Sequence, residues 1–189
     1  MSKKDALSAE DWLKAGFRAL VAEGAKGVRV EALARALKIS KGSFYWHFAD
    51  AAALKSAMME FWYENATRAE IASLRSANVS GAERLRRVVG FAGEARSEFG
   101  GVGVENAIRE WGRSDAAVRR MVQRMESERL AFLTECFEME GFVGESALWR
   151  SQSLYACLIG LESLHLVGVQ VSGNLERQLE LLLSRLPDT

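Results

Sequence analysis

The stretch ISKGSFYWHF, Ile39 to Phe48, decides how this chain is read: a lysine, a glycine and a serine run into four aromatic rings in five residues. Just upstream, Val30, Leu33, Ala34 and Leu37 form an apolar stripe only two turns long, which predicts a short helix. Lys38, Ile39 and Ser40 separate it from a third helix carrying Lys41 to Phe48, with Ser40 as the expected cap. Two short helices joined by a three-residue turn have the layout of a helix-turn-helix, whose second helix lies in the major groove with its first residues against DNA. Lys41 and the Ser43 hydroxyl then face phosphates or base edges, and Gly42 lets the backbone come close. Phe44 and Phe48, four apart, face inward, while Tyr45 and His47 lie off that face and can donate to phosphate oxygens. Spacing alone leaves a second reading open, a packed three-helix core whose polar tips only meet water.

Working outward, the rest of the chain reads as helices. Ser8 with Asp11 makes a capping box for a first helix with Leu13, Phe17, Leu20 and Val21 on one face, ended by Gly24. Asp50 caps a fourth, with Leu54, Met58, Phe61 and Asn65 inward. Ser80 with Glu83 opens another, with Leu85, Val88, Val89, Ala92 and Phe99 inward. Gly100, Gly101 and Gly103 then mark a turn, since they follow no strand and lack the spacing of a phosphate loop. After a short helix around Ile108 and Trp111, Ser114 or Asp115 starts a long one, with Val118, Val122, Met125, Phe132, Leu133, Cys136 and Phe137 inward and a cap at Gly141–Phe142. The next helix, Glu145 to Val171, is apolar nearly all round, yet Glu162, His165 and Gln170 would be costly in lipid, so it is expected to be buried on both sides rather than to span a membrane. Its small residues, Ser153, Ala156, Cys157 and Gly160, admit a close neighbour. The last helix, from Asn174 to Pro187, repeats Leu175, Leu179, Leu182 and Leu186 at steps of four, three and four, a seam for a partner helix. Pairing the last two helices across a two-fold axis as a four-helix bundle covers both; packing inside one monomer is the alternative.

The expected fold is all-α, with about nine helices and no sheet. A helix-turn-helix module at residues 1–50 precedes a larger helical domain at 51–189. The 189 residues, 49% hydrophobic and 26% charged, suit an ordinary globular protein. Net charge is zero, which by itself argues against nucleic acid, but residues 1–50 hold nine Lys/Arg against six Asp/Glu and the remainder holds sixteen against nineteen. A basic module on a mildly acidic body follows. MSKKDALSAEDW has no apolar run of a signal peptide, and Cys136 and Cys157 lack metal-ligand spacing, so a reducing cytoplasm is expected, with both thiols as small buried residues and no metal or cofactor.

The segment VEALARALKISKGSFYWHFADAAALKSAM resembles the DNA-binding segment of the TetR family of bacterial transcriptional regulators, whose pattern Ser40, Gly42, Tyr45, His47 and Phe48 match. The resemblance is sharp over about residues 9 to 60. It implies a body that dimerises through its last two long helices and binds a small-molecule effector, hence a homodimeric repressor on a palindromic operator in double-stranded DNA. Three positions depart from the pattern. Arg29 stands where threonine usually begins helix two, losing a cap but keeping a phosphate donor. Lys38 stands where glycine usually ends it. Ala51 replaces the lysine at the start of helix four, and Lys55, one turn later, is the candidate substitute.

The dimer interface is assigned to Ala156, Gly160, Leu175, Leu179, Leu182 and Leu186. Phe91, Phe99, Trp111, Met125, Phe132 and Tyr155 are candidates to line an apolar effector cavity, with Glu162, His165, Arg109 or Gln152 as polar handles, although each also reads as core or interface. Catalysis is not expected. The two histidines, His47 and His165, lie far apart, no nucleophile or zinc motif occurs, and the pairs Glu126/Glu128 and Glu138/Glu140 point to different helix faces. The competing reading is a ligand- or partner-binding helical protein that has lost operator readout, supported by Ala51 and the low net charge.

Overall fold

The structure, a computed structural model, describes residues 7–91, 97–100, 103–169 and 175–184. Among them there is no strand and there are nine α-helices: α1 (Ala9–Glu23), α2 (Val30–Ala36), α3 (Ala51–Tyr63), α4 (Ala69–Ser76), α5 (Gly81–Phe91), α6 (Val104–Ser114), α7 (Ala116–Met139), α8 (Glu145–Leu166) and α9 (Leu175–Leu183). A 3₁₀ turn occupies Lys41–Trp46, where a third α-helix is expected, and a π turn at Glu64–Arg68 links α3 to α4. No helix among the described residues is long and apolar enough to cross a membrane.

Many boundaries follow from local chemistry. Ser8 and Asp11 form the full capping box of α1, the Asp11 N–H donating to Ser8 Oγ and the Ser8 N–H to the Asp11 carboxylate. Asp50 accepts from the Ala53 N–H at 2.8 Å, and Asp115 Oδ1 accepts from the N–H groups of Ala117 and Val118 at 2.9 and 3.2 Å. Ser80 Oγ accepts from the Glu83 N–H at 3.2 Å. Gly141 closes α7 at φ 86, with Phe142 N–H returning to the Phe137 carbonyl and the two rings meeting edge to face.

The helix expected to carry Leu85 through Phe99 is described as far as Phe91, and Phe99 itself sits on a separate 3₁₀ turn. α8 stops at Leu166, not Val171, because Gly168 takes φ 78 and the Val169 N–H closes on the Leu164 carbonyl. Ala92, Gly101, Gln170, Val171, Asn174, Leu186 and Pro187 lie outside the described residues.

The chain packs as two compact units, one of Met1–Glu64 with Ala95–Val122 and one of Asn65–Glu94 with Gln123–Thr189. In the first, Trp12 meets Phe44 edge-on at 5.1 Å, and Phe17 gathers Phe61, Trp62 and Phe99. Gly16 lets α3 approach α1, since a Cβ there would lie 2.7 Å from the Met58 sulfur. In the second, Leu85, Phe132, Leu133, Cys136, Phe137, Leu154, Leu179 and Leu182 share one core. Its edge is closed by Arg150 of α8, almost fully buried. Its Nε donates to the Leu182 carbonyl at 2.9 Å and its guanidinium stacks 4.1 Å above the Phe142 ring, so α8 supplies a cap for the end of α9.

The residue-50 division was expected on function and the packing units cut the chain elsewhere, because Phe99, Ile108 and Trp111 are built into the first unit.

Candidate nucleic-acid interface

Arg29, in extended conformation, is the N-cap residue of α2 and gives no side-chain cap, as the loss of threonine implies. Its side chain is exposed. Val30, Leu33 and Ala34 turn into the core. The helix closes on Lys38 at φ 57: its N–H returns to the Arg35 carbonyl and the Ile39 N–H to the Ala34 carbonyl, the Schellman arrangement with lysine in the place glycine prefers.

Beyond it, Ser40 is extended, and its side chain does not cap the segment that follows; the Ser43 N–H returns instead to the Ser40 carbonyl at 3.1 Å. The aromatic run then divides as its spacing predicts. Phe44 and Phe48 are buried with their rings tilted against each other at 5.5 Å, whereas Tyr45, 56% exposed, and His47 face outward. Lys41 and Gly42 are exposed and Ser43 is half-buried.

Two features of this surface were missed. Trp46, 88% exposed, projects beside Tyr45; its sequence signal was available, because it lies two residues from both Phe44 and Phe48 and so opposite the buried side. The other is Glu31, in the first turn of α2, whose carboxylate forms an exposed ion pair with Lys41. The hydrogen bond holds the Glu31 carboxyl below its ordinary range and the Lys41 ammonium above its own. Lys41 is therefore not a free cation.

Lys55 lies one turn after Ala51 on α3, and its side chain is engaged elsewhere. Its ammonium lies over the Trp111 ring, 5.5 Å from the centroid.

The residues named for an effector cavity have varied surroundings. Phe99 belongs to the aromatic core of the first unit, and Trp111 is buried beneath Lys55. Phe132 is a core residue of the second unit, in which Met125 is also buried. Tyr155 joins a polar cluster: its hydroxyl donates to Glu126, and Arg129 donates to Tyr155 Oη at 3.4 Å, to Thr67 Oγ1 at 3.0 Å and to the Ala66 carbonyl at 2.9 Å. Burial pushes the Tyr155 phenol up to about 12. Glu162 is half-buried, His165 and Gln152 are exposed, Arg109 pairs with Glu105, and the Phe91 side chain lies outside the described residues.

The interface assignment needs correction on α9. Leu179 and Leu182, 0% and 5% exposed, belong to the chain's own core, and Leu175 packs against it, so this seam faces inward. Leu181, 61% exposed, faces outward instead. Leu186 lies outside the described residues. On α8, Ala156, Gly160 and Leu164 are exposed at steps of four along one face, with Trp149 two turns before Ala156 and Val167 three residues after Leu164 at the helix end. Among the described residues, the chain itself leaves this face of α8 uncovered.

These elements define an all-α helix-turn-helix protein. Residues 13–58 match the sequence model of the family described as bacterial regulatory proteins, tetR family. Solved structures align over almost the whole chain. A TetR-family transcriptional regulator from Rhodococcus sp. shares 21% identity at TM-score 0.73, covering 93% of this chain and 98% of its own. A TetR transcriptional regulator from Legionella pneumophila shares 15% at 0.74, covering 96% of each chain. A transcriptional regulator from Saccharomonospora viridis, solved in complex with choline, shares 17% at 0.73 and covers 92% of each. No curated protein sequence matches the chain. The family match thus covers the helix-turn-helix module, and the chain as a whole has the fold seen in solved TetR-family transcriptional regulators.

Proposed function

We propose that this chain is a homodimeric, DNA-binding transcriptional repressor that holds a palindromic operator and releases it when a small organic molecule binds its helical body. The observation that carries the reading is the outward face of the Lys41–Trp46 turn and the residue after it: Tyr45, Trp46 and His47 present hydrogen-bond donors over a rigid Phe44–Phe48 base. With Arg29, Ser40, Lys41, Gly42 and Ser43 they supply phosphate donors, hydroxyls and close backbone at the place where a helix-turn-helix meets the groove. Lys55 is the least favoured member, since it is engaged with Trp111.

The exposed stripe on α8 supports self-association. An exposed glycine inside a helix costs about 1 kcal/mol relative to alanine, and Gly160 has nothing within 4 Å of where a Cβ would stand, so its use there fits close approach by a second copy's helix. Two copies would then present two modules about 34–36 Å apart, one helical turn of DNA. A ligand that prefers a body holding another spacing would weaken DNA, and DNA would weaken that ligand by the same factor. The Saccharomonospora viridis protein, solved in complex with choline, supports a small organic molecule as a ligand for a protein of this fold. The reading includes no catalytic role and puts the protein in the cytoplasm with its DNA.

Binding of the purified protein to random duplex DNA, with sequencing of the retained fraction at low and moderate salt, tests this. Enrichment of a palindrome is expected. Retention without enrichment, vanishing as salt rises, would show phosphate attraction alone. It would favour the second reading, a ligand- or partner-binding protein without operator readout, which the Lys41–Glu31 pair and Ala51 support.

A further inference from the structure

We propose that Trp46 is a specificity-determining residue whose indole lies in the major groove against the 5-methyl group of a thymine, so that the preferred duplex carries an A·T pair at that position. The inference rests on the DNA-binding reading above and adds to it which base is read and through which chemical group.

A single apolar side chain in water is ordinary on a protein surface, so exposure alone decides nothing. Position decides it. Trp46, at 88%, is the most exposed large hydrophobic side chain among the described residues. Lys41–Trp46 is a 3₁₀ turn, in which the Ser43 N–H donates to the Ser40 carbonyl at 3.1 Å and the His47 N–H to the Phe44 carbonyl at 2.9 Å. Residues three apart eclipse in that geometry, so Trp46 shares a side of the turn with Ser43, whose hydroxyl is directed at the groove in the reading above.

The neighbouring rings are held and this one is not. Phe44 is fully buried and meets Trp12 at 5.1 Å, Phe48 at 5.5 Å and Tyr45 edge-on at 5.3 Å. Trp46 makes no ring contact and no hydrogen bond among the described residues. A fixed aromatic base thus presents a large apolar surface that the chain itself leaves uncovered.

Chemistry then selects what covers it. Base edges in the major groove are hydrogen-bond donors and acceptors, with one apolar exception, the thymine methyl. The indole has a single donor and no acceptor. Laid on a guanine, cytosine or adenine edge it would strip water from polar atoms without replacing their hydrogen bonds, whereas against a thymine methyl both surfaces leave water favourably.

The duplex that wild-type protein enriches from random DNA supplies the test. It is remade with each thymine in turn replaced by uracil, which removes only the methyl, and fluorescence anisotropy gives its affinity for wild-type protein, Trp46→Ala and Trp46→Phe. At one thymine, or at its symmetry mate, the replacement is expected to weaken wild-type binding about three- to fivefold, the effect of returning one methyl group to water. Trp46→Ala is expected to bind the thymine and uracil duplexes alike, and Trp46→Phe to keep part of the discrimination. The side chain is exposed, so both variants are expected to fold, which circular dichroism checks. Wild-type binding indifferent to uracil at every thymine, an enriched duplex without thymine, or an equal penalty in Trp46→Ala overturns the inference and leaves the DNA-binding reading standing. Failure of wild-type protein to enrich any sequence overturns operator readout, and this inference with it.

Discussion

Glu31 and Lys38 are the two residues at which this helix-turn-helix bears its own signature. Glu31 occupies the ammonium of Lys41 on the face proposed to meet DNA, so every encounter with phosphate competes with an internal carboxylate. Glu31→Gln is expected to tighten duplex binding several-fold at low salt and to steepen its salt dependence by about one unit, the effect of one more phosphate-paired cation. An unchanged slope would mean that Lys41 meets no phosphate. Lys38 occupies left-handed backbone, which costs an L-residue about 1–2 kcal/mol that glycine avoids, less the 0.5–1 kcal/mol of extra freedom glycine has when unfolded. Lys38→Gly should raise stability by roughly 0.5–1 kcal/mol in urea unfolding; a loss would mean that the lysine side chain contributes more than its backbone costs. At this scale the sequence was largely legible. The four-residue step from Phe44 to Phe48 separated inward from outward rings, and Lys38 stood out as a lysine where glycine usually ends the helix. The Glu31–Lys41 pair was not legible, because it joins residues ten apart through a turn whose geometry no period encodes.

Caps and stops make up most of what could be read at the level of the element, since a cap is a local bargain between two or three neighbouring residues. Ser8–Asp11, Asp50, Asp115 and Gly141 all act where their side chains or backbone freedom suggested. Gly168 carried the same signal within an apolar run, and the unbroken hydropathy on either side masked it. The α9 leucines show the complementary limit. Their heptad-like steps announce a seam, but a period says only that one face is apolar, and here that face meets the chain's own core. Close contacts between elements are likewise invisible in one dimension. Gly81 of α5 lies against α7 so tightly that a Cβ would stand 2.0 Å from the Cys136 carbonyl oxygen. Gly81→Ala should therefore cost about 1–3 kcal/mol by forcing the helices apart, seen as a lower melting temperature. An unchanged melting temperature would mean that α5 shifts freely at its first turn.

For the molecule as a whole, the stripe on α8 and the core beneath α9 predict opposite outcomes for similar changes. Leu164→Glu is expected to yield folded monomers in sedimentation, because Leu164 lies on the exposed stripe, whereas Leu179→Glu buries a charge and should unfold the chain. A folded dimer in the Leu164 variant would place self-association elsewhere. Stability should also fall on the alkaline side. Burial raises the Cys136 thiol from 9.0 to about 12, so above pH 9 the unfolded chain releases a proton that the folded chain retains. Stability is full below pH 9 and is lost progressively toward pH 12, with Tyr155 acting in the same direction from 10.0 upward. Urea midpoints measured between pH 8 and 10.5 should decline, and less steeply in Cys136→Ala; equal slopes would remove Cys136 from the effect. What the sequence hid at this scale is the interleaving of the two packing units, because Phe99 joins Phe17 across more than eighty residues.

The burial of Cys136 also has a practical use. The chain has two thiols, and the one in the core, fully enclosed and held protonated at neutral pH, is closed to alkylating reagents. Cys157, half-buried on α8 next to Ala156 on the exposed stripe, is then the single handle for a maleimide dye or a spin label, with no engineering of the chain. Because it borders the surface proposed to pair, its rate of labelling against protein concentration offers a direct optical or magnetic readout of whether two copies have met.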